Sequence, residues 1–142
     1  MDGRRDFTID PVNFADLPQL VDEVKKDGLR FIVMFDPAIA SDYPTYDRGL
    51  ADNVFVEWAN KTIKPPGQPT DSDVVLGNVW PDNRTAFPDF FKTSAQKWWT
   101  DEIRLFYDQI KFDALWIVSH LKVVSLRKII VNGSLLCLLG YE

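Results

Sequence analysis

Two apolar runs constrain this chain more than anything else in it. Leu29-Arg-Phe-Ile-Val-Met-Phe35 and Phe112-Asp-Ala-Leu-Trp-Ile-Val118 are nearly continuous in large apolar residues. Such runs suit parallel strands covered on both faces, rather than strands with one wet side. Between them, Ala95, Trp98, Trp99, Ile103, Phe106 and Ile110 follow helical spacing, and Thr93 and Gln96 fit a capping box. Ahead of the first run, Leu17, Leu20, Val21 and Val24 mark one apolar helix face, with Asp16 placed to cap it and Gly28 to end it. Helix, strand, helix, strand is a βαβ pattern and predicts an α/β fold with parallel strands.

The crossover is long. Residues 37 to 92 carry Pro44, Pro65, Pro66, Pro69, Pro81 and Pro88, with two strand-like pieces at Val54–Trp58 and Val74–Trp80. A structureless loop of that length is improbable in a compact domain. We therefore expect a small β-rich insertion after the first strand.

Composition changes abruptly after Ile117. The first 117 residues carry net charge −7 and 18 of the 19 aromatics; the last 25 carry +2 and are aliphatic. That shift reads either as a junction between sequences of two origins or as the final helix or strand of one domain. The total of 142 residues, 46% hydrophobic, is the size of a single domain with a real core. A net charge of −5 argues against nucleic acid or anionic membrane as the main partner. One Cys and one His leave no internal disulfide, no Cys-based zinc site and no His-rich metal site, and nothing calls for a cofactor. The start, Met1 to Asp6, has no apolar run after its charges, so no signal peptide is expected. No stretch reaches the roughly 18 apolar residues of a membrane span, and the longest candidate, Ile129 to Tyr141, is broken by Asn132, Gly133 and Ser134.

Carboxylates are the only well-supplied chemistry. Asp36 directly follows an apolar strand, and strand C-terminal ends are where ligands gather in parallel α/β folds. The competing reading is that Asp36-Pro37 simply turns the chain. His120 could pair with Ser119 or Ser125, but no nucleophile elbow is present and a solvated His is expected. Cys137 lies among leucines as inert packing, and Asp71-Ser-Asp73 reads as a polar turn, not a calcium loop. Trp98 and Trp99 are expected to pack a helix; Trp80, just before Pro81, is the better exposed platform. Sequons begin at Asn60, Asn83 and Asn132, tilting toward lumenal ancestry, with Asn60 and Asn83 as candidate glycosylation residues.

Taken in order, these segments resemble a known family. Met1-Asp-Gly-Arg-Arg-Asp-Phe-Thr8 is similar to the "Y-M-D-x-x-x-D-F-T" stretch of glycoside hydrolase family 31, the α-glucosidases. Asp27-Gly28 through Asp36-Pro-Ala-Ile39 resembles its "D-G-x-(apolar)-D-P-x-I" strand motif. Gly77-Asn-Val-Trp80-Pro81 with Phe87-Pro-Asp-Phe90 resembles "G-x-V-W-P-G…F-P-D-F". Lys97-Trp98-Trp99 and Phe112 to Ile117 resemble the next helix and the fourth strand. Five linked motifs cover residues 1–117, and the tail 118–142 resembles nothing in the family.

The resemblance implies part of a (β/α)8 barrel whose family hydrolyses terminal α-glucosidic bonds with retention. That mechanism needs two carboxyls about 5–5.5 Å apart, one nucleophile and one acid/base. By position, Asp36 would lie in the glucose pocket, Trp80 and Trp116 would wall it, and Met34 would stand at an apolar pocket position. The partner implied is an α-glucoside or oligosaccharide; the family implies a lumenal, lysosomal, secreted or cell-surface parent. The nucleophile position is taken by Val118, which cannot ionise, so no catalytic residue is assigned. Met1 coincides with an internal methionine of the family motif, and the family's acid/base lies beyond Glu142. The chain as written is therefore expected to be inactive. It reads as a non-catalytic sugar-binding piece or a non-functional fragment, from an alternative transcript or a frameshifted gene model. Open strand edges lead us to expect self-association.

Overall fold

A computed structural model of the chain describes residues 1–81, 83–117, 129–131 and 134–139. A short 3-10 turn over Asp2–Arg4 is followed by helix α1, Leu17–Lys26. Asp16 is its N-cap and Pro18 lies in its first turn, where a missing N–H costs nothing. It ends as the sequence predicts. Gly28 takes φ +79°, its N–H donates to the Lys25 carbonyl, and Leu29 N–H donates to the Val24 carbonyl. That left-handed glycine closes the last turn as a Schellman motif. Of the apolar stripe, Val21 is fully buried, but Leu20 remains half-exposed.

Strand β1, Ile32–Phe35, pairs in parallel with β5, Ala114–Ile117. Helix α3, Thr93–Gln109, lies between them in the chain and completes the βαβ unit. Its Ala95, Trp98, Trp99, Ile103 and Phe106 are buried, with Ile110 just beyond. The capping box is not formed: Lys92 is the N-cap, which puts Thr93 one position inside the helix. Gln96 instead donates its side-chain amide to the Phe90 carbonyl at 2.9 Å.

The strands differ from expectation in one respect that matters for function. One face is buried and the other is largely open, with Ala114 the one buried residue on it among those described. Phe35 and Leu115 enter the core with Phe7, Trp99 and Phe106. Residues paired across parallel strands point to the same side. Ile32, Met34 and Trp116 thus share the opposite face, and all three are exposed, by 45%, 45% and 41%. The apolar content of both runs is explained by a barrel strand, whose inner face is covered only when the barrel closes. Among the described residues no closed barrel forms.

Between β1 and α3 the chain makes a separate three-stranded antiparallel sheet of β2 (Ile39–Ala40), β4 (Thr85–Ala86) and β3 (Leu76–Gly77), in that order. The expected strand at Val54–Trp58 is reduced to two isolated bridges, Phe55 to Pro88 and Glu57 to Val74, and the one at Val74–Trp80 to the two residues of β3. Helix α2, Pro44–Ala51, was not expected at all.

The tail contributes two strands, β6 (Ile129–Val131) and β7 (Ser134–Leu139). They pair antiparallel, and β7 pairs in parallel with β5, with Cys137 opposite Ala114. The larger sheet therefore runs β1-β5-β7-β6. The edge of β5 expected to be open is occupied by β7. Val118, Ser119, His120 and Ser125 lie outside the described residues.

The aromatic share of the sequence goes mainly to packing. Phe7 stands 4.5 Å from Phe35 and 5.2 Å from Trp99, centroid to centroid, the latter edge-on. Tyr46 stacks on Phe55 at 5.1 Å, which in turn meets Trp98 edge-on. As predicted, Trp98 and Trp99 are core residues.

Candidate functional site

The site lies at the C-terminal ends of β1 and β5. Asp36 is the first residue past β1, and its backbone N–H donates to Asp6 Oδ2 at 2.9 Å. Asp6 is only 2% exposed. It is carried there by a strained backbone: Arg4 and Phe7, neither a glycine, both take φ +59°. For a residue as bulky as Phe that region is costly. Packing of the Phe7 ring against Phe35, Trp99 and Phe106 offsets it, so core packing holds the acid under Asp36.

Two carboxyls are thus brought together in a partly dry place. Burial pushes the Asp6 carboxyl well above the usual carboxylate range; the Asp36 N–H works against that rise and the Asp36 charge adds to it. Burial also raises Asp36, against the Trp80 side-chain N–H directed at its carboxyl. Tyr43, close by, is raised by burial and by the charge of Asp6. Asp36 Oδ1 is buried and has no hydrogen-bond partner among the described residues. An orphaned acceptor of this kind is one that a ligand hydroxyl or a water is suited to satisfy.

Around the acid stand apolar surfaces. Met34 and Trp116 are register partners on the exposed face, with Ile32 two residues before Met34. Trp80 is 60% exposed, and Arg4 Nη1 donates to its carbonyl oxygen at 3.1 Å. Next to Trp80, Gly3, Arg5, Ala40, Asp42, Pro81 and Asn83 line a cleft of about 270 Å³. Arg5 grips Asp42 with two hydrogen bonds, 2.6 and 3.2 Å, and lies over the Tyr43 ring. That guanidinium, with help from Asn83, holds Asp42 below its ordinary value.

The expected residues therefore separate into groups. Asp36 and Trp80 meet at the carboxyl, and Met34 and Trp116 meet on the adjoining strand face. Val118 lies outside the described residues. Asn83 borders the cleft, whereas Asn60 is on an exposed loop. Asp73 is neutralised by Lys61 at 2.6 Å and Lys64 at 3.0 Å, which makes its segment a salt-bridged turn. Sequence reasoning did not single out Asp6, Arg5 or Asp42. It also missed an ion pair with one buried partner: Glu102, 2% exposed, takes two hydrogen bonds from the half-exposed Arg48, at 2.6 and 2.7 Å, and one from Thr45. An acid on the apolar face of α3, four residues after Trp98, was the available signal for it.

Comparison with known proteins points the same way. A family model described as the glycosyl hydrolases family 31 TIM-barrel domain matches residues 1–120. Intestinal sucrase-isomaltase of Oryctolagus cuniculus is 40% identical over 82% of this chain, which spans 7% of that protein. Lysosomal alpha-glucosidase of Mus musculus is 42% identical over 82% of this chain and 12% of its own length. Among solved structures, the glucosidase II alpha subunit in a Tris-bound form aligns over 82% of this chain and 12% of that one, with TM-score 0.65 and 21% identity, a likeness of fold. The chain spans about a tenth of the length of the relatives it matches.

Proposed function

Because this chain belongs to glycosyl hydrolase family 31, as a segment of its TIM-barrel domain, we propose that residues 1–117 are a glucoside-binding wall of that barrel. The tail 118–142 is of separate origin, and residues about 40–92 are an insertion after the first barrel strand. The family match supports this, since it ends near the same place, at residue 120.

The observation that carries the reading is the grouping at the strand ends. A carboxyl with one orphaned oxygen stands beside an exposed indole, and an adjoining strand face presents a thioether and a second indole. Sugars offer hydroxyl donors on their edges and apolar C–H faces, so such a pairing of an acceptor with flat apolar surfaces suits a glucoside. Asp36 accepts from sugar hydroxyls; Trp80, Met34 and Trp116 take the apolar faces. The substrate class is the α-glucoside that the relatives' names imply, and their setting, intestinal or lysosomal, makes a lumenal or cell-surface parent the natural origin.

Cleavage is a separate matter. Retaining hydrolysis needs a carboxylate poised to attack the anomeric carbon and a second to protonate the leaving oxygen. Val118 stands at the nucleophile position and supplies neither charge nor lone pair. Asp6 and Asp36 are not a substitute, because Asp6 is buried and one of its oxygens is held by the Asp36 N–H. The chain alone should therefore hold a sugar without cleaving it. Purified chain incubated with maltose should release no glucose above the blank. Glucose release abolished by Asp36→Ala would overturn this assignment.

A further inference from the structure

The three sequons are equivalent as sequence but not as structure. At Asn60-Lys61-Thr62, all three residues are exposed. Asn60 Oδ1 accepts the Thr62 hydroxyl at 2.7 Å and the Thr62 backbone N–H at 3.0 Å. The turn is made within three residues and needs no partner from elsewhere in the chain. It is also steadied from outside: Lys61 reaches Asp73 at 2.6 Å, and Lys64 meets the same carboxylate. Among the described residues nothing accepts a hydrogen bond from Asn60 Nδ2.

The second sequon, Asn83-Arg84-Thr85, is arranged oppositely. Thr85 is 0% exposed within β4, and its hydroxyl is turned to the Gly77 carbonyl of β3 at 3.3 Å. The Asn83 carboxamide takes the Arg84 N–H at 3.1 Å and bonds to Asp42 at the cleft. Asparagine and hydroxyl are thus held apart by different partners. Asn132 lies outside the described residues.

We propose that Asn60 is an N-glycan acceptor of this chain and that Asn83 is not. The donor class is a polyprenyl-pyrophosphate-linked oligosaccharide, the substrate of lumenal transferases that read N-x-[ST]. In the transfer, a bond forms between Asn60 Nδ2 and the anomeric carbon of the first sugar. The bond from that carbon to the phosphate oxygen breaks, the polyprenyl pyrophosphate leaves with the electron pair, and one amide proton is lost to solvent. The two hydrogen bonds to Oδ1 stabilise charge on the amide oxygen and so favour loss of that proton. Exposure of Asn60, Lys61 and Thr62 together lets one enzyme site hold all three.

The test expresses the full 142-residue chain behind a cleavable secretion leader in cultured mammalian cells. It carries Asn132→Gln, and the total microsomal fraction is analysed so that retention does not hide the result. Gel mobility before and after peptide-N-glycosidase, with a peptide mass for the asparagine converted to aspartate, gives the readout. One glycan is expected on this chain and on its Asn83→Gln variant. None is expected on Asn60→Gln or Thr62→Val. A glycan that persists in Asn60→Gln, one that disappears in Asn83→Gln, or an unmodified chain beside a modified control glycoprotein from the same cells would each overturn the proposal.

Discussion

Asp6 should make this domain less stable as pH rises, over a range where most proteins gain or hold stability. Its carboxyl is 2% exposed and its proton affinity is raised, first by burial and further by the charge of Asp36. A raised acid binds its proton more tightly in the folded state than in the unfolded one. Its favourable contribution is therefore complete below the unfolded value near 4, and is lost as pH climbs through the folded value. Within that window one proton is worth about 1.4 kcal/mol per pH unit. Asp6→Asn removes the titration while keeping an amide oxygen to accept the Asp36 N–H at 2.9 Å. Asp6→Ala removes the titration and strands that donor, at about 1–3 kcal/mol. Urea midpoints read by Trp98 and Trp99 fluorescence, from pH 4 to pH 8, separate the cases. Asp6→Asn should match the parent near pH 4 and exceed it increasingly above; Asp6→Ala should lack the same slope but start lower. Asp36, also raised by burial, contributes to the slope that remains in Asp6→Asn. A parent and Asp6→Asn that run parallel throughout, or an Asn variant weaker at pH 7, would refute the reasoning. The low-lying acids do not confuse the result. Asp42 and Asp73 are held below their ordinary values by Arg5 and by Lys61 and Lys64, so their stabilisation is lost only as pH falls below about 4.

Other expected outcomes follow from the packing. Arg48→Leu leaves the buried Glu102 without its charge partner and should cost about 2–3 kcal/mol in urea unfolding, reduced from a fully buried pair by the half-exposed guanidinium; Arg48→Leu with Glu102→Leu together should recover part of that loss. Phe35→Ala empties the centre of the aromatic cluster and should cost about 3–5 kcal/mol by the same measurement. Gly28→Ala meets no atom within 4 Å, so only the left-handed backbone is penalised, at about 1 kcal/mol. Removing residues 129–142 strips β7 from the edge of β5, and sedimentation velocity should then show more self-association than in the full chain.

What was legible in the sequence was whatever repeats at a regular interval. Helices α1 and α3 and strands β1 and β5 carry their apolar residues at periods that a buried face demands, so they were found. The inference of burial on both strand faces failed for a physical reason. Ile32, Met34 and Trp116 lie on the face that a barrel turns to its interior, and within this chain that side is open. Helix α2 was invisible because it begins at Pro44 and contains Gly49, both poor signals. Gly49 is required by packing, since a Cβ there would fall 2.6 Å from the Phe55 ring. The β6–β7 pairing had a signal that went unused: Asn132-Gly133 is the dipeptide most favoured between hairpin strands. At the site, Asp36 and Trp80 stand next to strand ends and could be picked out. Asp6 lies in the matched stretch Met1 to Thr8 but could not be picked out within it, because burial of one acid beside a left-handed Phe7 has no periodic signature.

The central claim is that Asp36, Trp80, Met34 and Trp116 form a sugar-binding wall. Titrating the full chain with acarbose while following tryptophan fluorescence tests it most directly, since Trp80 and Trp116 are the two indoles exposed at the site. A saturable change that is lost in Asp36→Ala and weakened in Trp80→Ala is the expected result. A signal that never saturates, or one unaltered by either substitution, would contradict it.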